Sequence, residues 1–549
     1  MTGATSQGSE LALLIDLGSA WTKGTLIARV RGSWRIVAHH AQPRAWGDAE
    51  LVHRLAAALR PSADPRLAHD LERLIAAAPR IECHTSARPA RLAIAAVSRE
   101  VSGAAARRAA ESAGWLVVEA ATADDGRALT DRLEALQLAE VDAWLLAGGF
   151  DGAHSDQALE MTALVAAARG KRVEPVIWAG SSRLNDEVAG FFEPGTVTAV
   201  ANPRPAPDRE EPAALRAYLE DLLSRTVEPE SARHLSPVSF RRALAQLSGE
   251  TELRIMGIDL GMQFATVVLA DGQGAAESRV FARGGLAAAA LTAPGGPSRV
   301  ARGIPEGIDE LTVADTLQNV AARPATLPQT EDDLAVLQAA ARHQMVSIVA
   351  DDLRADGIDL LVGAGRVIAA APRPAMAAQM LIDGVRPVGV TALAIDVGAL
   401  LGPLGSLDDD EIGEGMAALR EDLLVPLGTA VICRGGRAGH VAMRVTLHRS
   451  GWPSIGPIEV RGGGLQVIPL GAGQFAELEI GLEEGASLGA PRRSRRAWAE
   501  VSGGSVGVIL DARGIPATVP RRAEDRRAVL AGWRDAMLRE PPQPAPRAR

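Results

Sequence analysis

Two aspartates, each closing an apolar run and each followed by Leu-Gly, are the residues of this chain best suited to chemistry. LLIDLGSAWTKGTLIA begins at Leu13 and IMGIDLGMQFATVVLA at Ile255, so Asp16-Leu17-Gly18 recurs as Asp259-Leu260-Gly261. A strand, a tight turn and a returning strand can point backbone N–H groups and a hydroxyl at a phosphate, and an aspartate at the strand end can hold a metal ion through water. Two copies suggest a duplicated domain whose hairpins face one nucleotide from opposite sides. In the first copy Gly18 allows close backbone approach, Ser19 and Thr22 bring hydroxyls, Lys23 a charge, and Asp16 a seat for Mg²⁺-bound water. The second copy offers Asp259, Gly261 and Gln263, with Thr266 further along.

Lysine usage singles out one of these residues. The chain has 58 lysines and arginines together, yet lysine occurs only at Lys23 and Lys171. One of the two therefore lies inside the first hairpin, where a compact ammonium suits a phosphate better than a flat guanidinium does; the alternative is chance survival on a strand surface. A third element, Leu360-Leu361-Val362-Gly363-Ala364-Gly365-Arg366, is an apolar strand running into a Gly-x-Gly turn that lets backbone lie flat against an adenine or ribose. Alone it would be an ordinary tight turn; placed after the second hairpin it completes a set.

The elements that must position these residues follow from periodicity. Three strands are expected from Leu11 to His40 and two helices at Ala49–Leu59 and Pro65–Ala77. A regular alternation follows, with strands at Arg91–Ala96, Trp115–Glu119, Ala143–Ala147, Glu174–Trp178 and Thr196–Ala201. Helices are expected between them near Ala104–Ala113, Gly126–Leu136, Asp156–Arg169 and Ser182–Phe191, the mark of a parallel sheet covered on both faces. Residues 206–254 read as a helical connector, Glu331–Ala350 as a long helix, and 421–520 as an all-β module with Gly-rich turns. The expected division is a first half at 1–85, an inserted Rossmann-like α/β domain at 86–205, a second half at 255–420, and a closing helix with a disordered tail at 521–549.

Bulk properties exclude other classes. A net charge of -9 leaves no basic stripe for general nucleic-acid binding, and Arg492-Arg493-Ser494-Arg495-Arg496 reads as a solvated loop. Cys83 and Cys433 give neither metal-ligand spacing nor a disulfide framework, the N-terminus lacks the form of a signal peptide, and no apolar run is long enough to span a bilayer; a cytoplasmic location is expected. His39-His40, His154 and His343 have no zinc-type spacing, and there is no Walker A loop. Gly148-Gly149-Phe150-Asp151-Gly152, at the carboxyl end of an expected strand, is placed for an anion or ribose, or else is a turn beside a helix capped by Ser155 or Asp156. Ser182 reads as a helix N-cap, and Asp396-Val397-Gly398, which lacks a following hairpin, as structural.

The two phosphate motifs and the Gly-x-Gly together resemble the actin/Hsp70/sugar-kinase superfamily. Within it the chain most resembles the glutamate mutase L (MutL-type) family, through LLIDLGSAWTK at Leu13–Lys23, WLLAGGFDGAHSDQAL at Trp144–Leu159, PVIWAGSSRLNDEV at Pro175–Val188 and the second hairpin. The resemblance covers roughly Leu11 to Leu407. It implies a duplicated actin-like (ribonuclease H-like) ATPase fold, ATP with Mg²⁺ at Asp16 and Asp259, Gln263 at the reacting end, and Gly363 and Gly365 near the adenosine. It also implies a chaperone or reactivator of adenosylcobalamin-dependent mutase subunits. Family members often carry Gly-Gly-Ala-Thr-Thr after the second aspartate, whereas Gly261 is followed here by Met262, Gln263, Phe264 and Ala265, which lowers the expectation to weak hydrolysis or to binding without turnover. The rivals are a small-molecule kinase of the same fold, for which no convincing substrate-facing aspartate stands out, and a non-catalytic scaffold.

Overall fold

The structure is a computed structural model that describes residues 10–62, 68–85, 90–227, 234–349, 357–489 and 495–538. Most of the basic cluster, the start of the second expected helix and the Pro/Arg-rich tail lie outside the described residues. The chain forms two compact units, one of Met1–Cys83, Ser239–Ala276 and Arg283–Arg549, the other of His84–Val238 with Glu277–Ala282.

The first unit opens with strands β1 (Leu11–Leu17), β2 (Trp21–Val30), β3 (Ser33–Pro43) and β4 (Arg80–His84), in the order β3-β2-β1-β4. The β1 sequence LALLIDL is apolar on both faces because both faces are covered. Leu13 and Ile15 pack with Leu51, Leu55 and Ile75 from the helices Gly47–Leu59 and Leu71–Ala76. Ala12 and Leu14 face a second core. Each such fully buried aliphatic side chain is worth roughly 1.5–3 kcal/mol of transfer free energy.

The second unit is a parallel sheet of β5 (Ala90–Ala96), β6 (Trp115–Thr122), β7 (Ala143–Ala147), β8 (Val176–Trp178) and β9 (Val197–Ala199), ordered β6-β5-β7-β8-β9. Alternate residues feed one core on each face: Ala93, Ala95, Trp144 and Leu146 on one, Leu92, Ile94 and Leu145 on the other. The 206–254 stretch divides between the units. Helix Ala213–Val227 buries Leu215, Leu219 and Leu222 in the second unit's core, whereas helix Ser236–Thr251 gives Phe240, Ala243 and Leu244 to the first.

The chain then returns to the first unit with β10 (Arg254–Leu260) and β11 (Ala265–Asp271), an antiparallel pair. Parallel to β10 runs the Leu360–Ala364 strand and, parallel to that, the Gly389–Ile395 strand. Thus β1 and β10 each carry a hairpin mate on one side and a further strand on the other, the repeated order of a duplicated actin-like fold. The strand-rich C-terminal region is continuous with this sheet. Val425–Ile432 pairs antiparallel with Gly389–Ile395, Gly507–Asp511 joins it in parallel, and Leu465–Ile468 closes the edge. Four other strands, Ile455–Arg461, Val441–His448, Phe475–Leu482 and Arg496–Ser502, make a separate antiparallel sheet in that order.

Candidate functional site

The two Asp-Leu-Gly hairpins have the same register. Asp16 lies opposite Lys23 and Leu17 opposite Thr22; Asp259 lies opposite Thr266 and Leu260 opposite Ala265. Both turns close with the glycine N–H donating to a carbonyl three residues on, Gly18 to Trp21 at 2.9 Å and Gly261 to Phe264 at 3.0 Å. In each case a Cβ on the glycine would stand 2.9 Å from that carbonyl oxygen, so the tight turn selects glycine. Strand alternation puts Ala12, Leu14 and Ile27 of the first hairpin, and Ile255, Val268 and Ala270 of the second, into one shared core. Asp16 and Asp259 lie on those same faces, at the ends of the rows.

Lys23 is the centre of charge. Its ammonium donates to Asp16 Oδ2 at 2.7 Å, with the two side chains only 16% and 14% exposed. Burial works against the charged ammonium, but Asp16, Asp259 and Asp396 together hold its pKa well above the usual lysine value. The carboxylates respond differently. Burial pushes Asp259 up to about 6, with Lys23 opposing and Asp16 adding to the rise. Burial likewise takes Asp396 to about 6 against the backbone hydrogen bonds from Leu400 and Leu401 and the pull of Lys23. One ammonium therefore stands among three carboxylates, of which Asp396 is buried and Asp16 and Asp259 partly so.

Asp396, expected to be structural, is structural and more. Its oxygens accept the N–H groups of Leu400 at 2.9 Å and Leu401 at 3.0 Å, starting the short helix Leu401–Gly405, while its charge joins the cluster. The hydroxyl on Lys23's face of β2 is that of Thr25. Thr22 lies on the other face, beside Leu26 and the Leu13/Ile15 core, because its cross-strand partner is Leu17. Thr25 donates to the Gly398 carbonyl, so the His39 Nδ1 at 2.7 Å must be the donor to Thr25, which fixes the imidazole tautomer. Burial, then Lys23, His40 and Arg366, lowers His39 to about 4, keeping it neutral. Cys83, buried beneath, points its thiol at Asp16 Oδ1 across 3.7 Å.

The Gly-x-Gly turn reaches the second aspartate directly, since Ala364 is in register with Asp259. Gly365 has φ +87, and a Cβ there would stand 2.2 Å from the Leu260 carbonyl oxygen. Gly363 serves packing, with Ile368 and Leu381 side chains 2.8 and 3.0 Å from where its Cβ would be. Arg366, next in line, lies over the Trp21 ring at 4.0 Å. The turn carrying Met262 and Gln263 is clamped from behind: Leu286, Ala287 and Gly285 donate to the carbonyls of Gly261, Met262 and Gln263 at 3.1, 2.7 and 3.0 Å. Buried Gln344 in turn holds the Gly284 carbonyl at 2.9 Å. Ser19 and Gln263 both remain in the turns beside the cluster, each partly exposed. Thr25, His39, Asp396, Gly285 and Gln344 were not singled out as site residues in the sequence; Asp396 alone carried a signal, its Asp-x-Gly spelling.

In the second unit the Gly148–Gly152 loop is tied internally. Asn202 Nδ2 donates to Gly149 O at 2.9 Å and to Asp151 Oδ1 at 3.1 Å, and Ser155 caps helix Asp156–Arg169 by accepting from Ala158 N at 3.3 Å. The expected cap at Ser182 is not formed. Ser181 precedes that turn, and its hydroxyl instead donates to Ala153 O at 2.8 Å, because the loop before it is close enough to take the bond. Among the described residues no group of three or more His, Cys, Asp or Glu is arranged to hold a metal directly, and no helix is long and apolar enough to cross a membrane.

Comparison with known proteins adds a family and several solved folds. The chain matches no curated protein. Among solved structures it is similar to component A of (R)-2-hydroxyglutaryl-CoA dehydratase from Acidaminococcus fermentans, at 10% identity over 72% of this chain and 96% of that one, TM-score 0.25. It is similar to the ethanolamine utilization protein EutJ from Carboxydothermus hydrogenoformans at 11% identity, 73% and 90% coverage and TM-score 0.25. It is similar to a carbohydrate kinase from Novosphingobium aromaticivorans at 14% identity, 76% and 94% coverage and TM-score 0.25. With scores this low, the fold rests on the strand order and registers above. Residues 12–242, under half of the chain, match the family described as MutL protein, so over that stretch the resemblance to the glutamate mutase L family is shown.

Proposed function

We propose that this chain binds ATP with Mg²⁺ at the paired hairpins and uses the bound nucleotide to act on an adenosylcobalamin-dependent mutase as a chaperone or reactivator in the cytoplasm. The observation that carries the nucleotide reading is the register-matched pair of glycine turns, with Asp16, Lys23, Asp259 and Asp396 in mutual electrostatic reach. The donor set fits the cofactor. Three carboxylates share one ammonium, an excess of negative charge that a divalent cation would offset, and none is part of a direct ligand cluster, so water would fill most of the cation's shell. When bound, the cation supplies charge neutralisation at the phosphates. Lys23 would exchange Asp16 for a phosphate oxygen, and Thr25 with neutral His39 keeps the strand beneath it in place. The mutase partner is supported by the family match over residues 12–242 alone.

A second reading, binding without turnover, is favoured by Met262, which occupies in the second turn the place Ser19 holds in the first. Calorimetric titration of ATP with and without Mg²⁺, followed by phosphate-release measurement, separates the two. Absence of any nucleotide binding would overturn both. The mutase reading is tested by recovery of an inactivated mutase holoenzyme with ATP and this chain present.

A further inference from the structure

A cavity of about 240 Å³ opens among the helices Gly296–Ala301, Glu331–Ile348, Pro374–Val385 and Ala523–Leu538. Its wall carries four guanidinium groups, Arg299, Arg342, Arg386 and Arg534, against two carboxylates, Glu306 and Asp383. Both carboxylates are already engaged. Glu306 pairs with Arg534, and Asp383 takes Arg513 at 2.7 Å, leaving Arg342 at 4.0 Å. Otherwise Arg342 donates to the Gly303 carbonyl at 2.9 Å and Arg386 to the Asp383 main-chain oxygen at 3.3 Å, both neutral partners. Burial depresses the pKa of both guanidiniums, outweighing the pull of Asp383 on each and of Glu306 on Arg342. Arginine does not respond by losing its proton, so the charge persists.

The cavity is separate from the aspartate cluster. Asp383 and Arg386 stand where helix Pro374–Val385 ends, before the Gly389–Ile395 strand, and Asp396 follows the far end of that strand. A seven-residue strand spans roughly 23 Å. The rest of the wall mixes apolar Val300, Ala339, Val346, Met376 and Leu530 with polar Gln338, Gln379 and His343.

We propose that this cavity binds a small organic anion, its phosphate or carboxylate group held by Arg342, Arg386 and Arg299 and its apolar body lying against Met376, Val346 and Leu530. Because Leu530 and Arg534 belong to the C-terminal helix, the occupant also fastens that helix to the helices Glu331–Ile348 and Pro374–Val385.

The test is calorimetric titration of the full chain with inorganic phosphate and with glutarate, at constant ionic strength in chloride. Binding of either with a Kd on the order of 1 mM is expected, and the arm that binds tells phosphate from carboxylate. Arg386→Gln should weaken it about tenfold while leaving ATP affinity unchanged. If that variant loses its cooperative melt, Arg299→Gln, on the exposed rim, replaces it, with an expected weakening of about threefold. No binding of either probe, binding that neither substitution alters, or an equal loss of ATP affinity would overturn the proposal.

Discussion

Lys23 stands directly across the first hairpin from Asp16 and donates to it at 2.7 Å, whereas the same place opposite Asp259 is held by Thr266. The duplicated hairpins thus share a backbone and differ in charge, with the only ammonium of the pair serving carboxylates from both copies.

Lys23→Met should expose that dependence. It leaves Asp16 buried without its counter-ion, a change that costs about 3 kcal/mol or more where a buried pair is broken from one side. Urea denaturation measures the loss, and titration calorimetry should show ATP affinity falling at least tenfold. Wild-type affinity in a destabilised variant would remove Lys23 from the phosphate site.

Stability should depend on pH through Asp259. Its folded pKa of about 6 lies above that of the unfolded chain, so its contribution is fully present below about pH 4 and is lost as pH rises through 6. Asp259→Asn should therefore flatten the decline in unfolding free energy between pH 4 and 7.5, by up to about 3 kcal/mol at roughly 1.4 kcal/mol per pKa unit. Parallel wild-type and variant profiles would refute this.

Two alanine substitutions separate turn strain from steric closure. Gly439 has φ +78 with open space around it, so Gly439→Ala should cost about 1 kcal/mol. Gly365→Ala adds a clash with the Leu260 carbonyl to the same strain and should cost more than about 3 kcal/mol. Equal midpoints in denaturant would contradict the close approach of the Gly-x-Gly turn to the second hairpin.

Trp533 should anchor the C-terminal helix. It is 7% exposed, its indole donates to Gly463 O at 2.8 Å, and Arg513 lies over its ring at 5.0 Å. Trp533→Ala should cost about 3 kcal/mol and speed proteolytic cleavage near residue 520. Unchanged cleavage would mean that the helix is held by its other contacts.

The legible parts of this chain were those governed by local pattern. Strand β7 and helix Asp156–Arg169 have the boundaries that periodicity gives, and both hairpins form at the Asp-Leu-Gly repeats. Features set by pairing between distant segments were not legible. Which hydroxyl shares Lys23's face depends on the β1–β2 register, and it is Thr25's. Helix Ala213–Val227 reads as a connector until the leucines on one side of it are seen in the second unit's core. The C-terminal strands look like a separate module because nothing local announces that Val425–Ile432 pairs with Gly389–Ile395. Asp396 was the hardest, since a helix cap and a member of a charge cluster are spelled alike.

That double duty has a mechanical side. The two oxygens of Asp396 that sense the charge of Lys23 are the same two that hold the first amides of helix Leu401–Gly405. A carboxylate grips amides more firmly when ionised than when protonated. The helix packs against β1, and Gly402 sits where a Cβ would come within 2.7 Å of Cys83 Sγ. The ionisation of Asp396, set partly by the charge of Lys23, therefore governs how firmly the start of this helix is held against the strand that ends in Asp16.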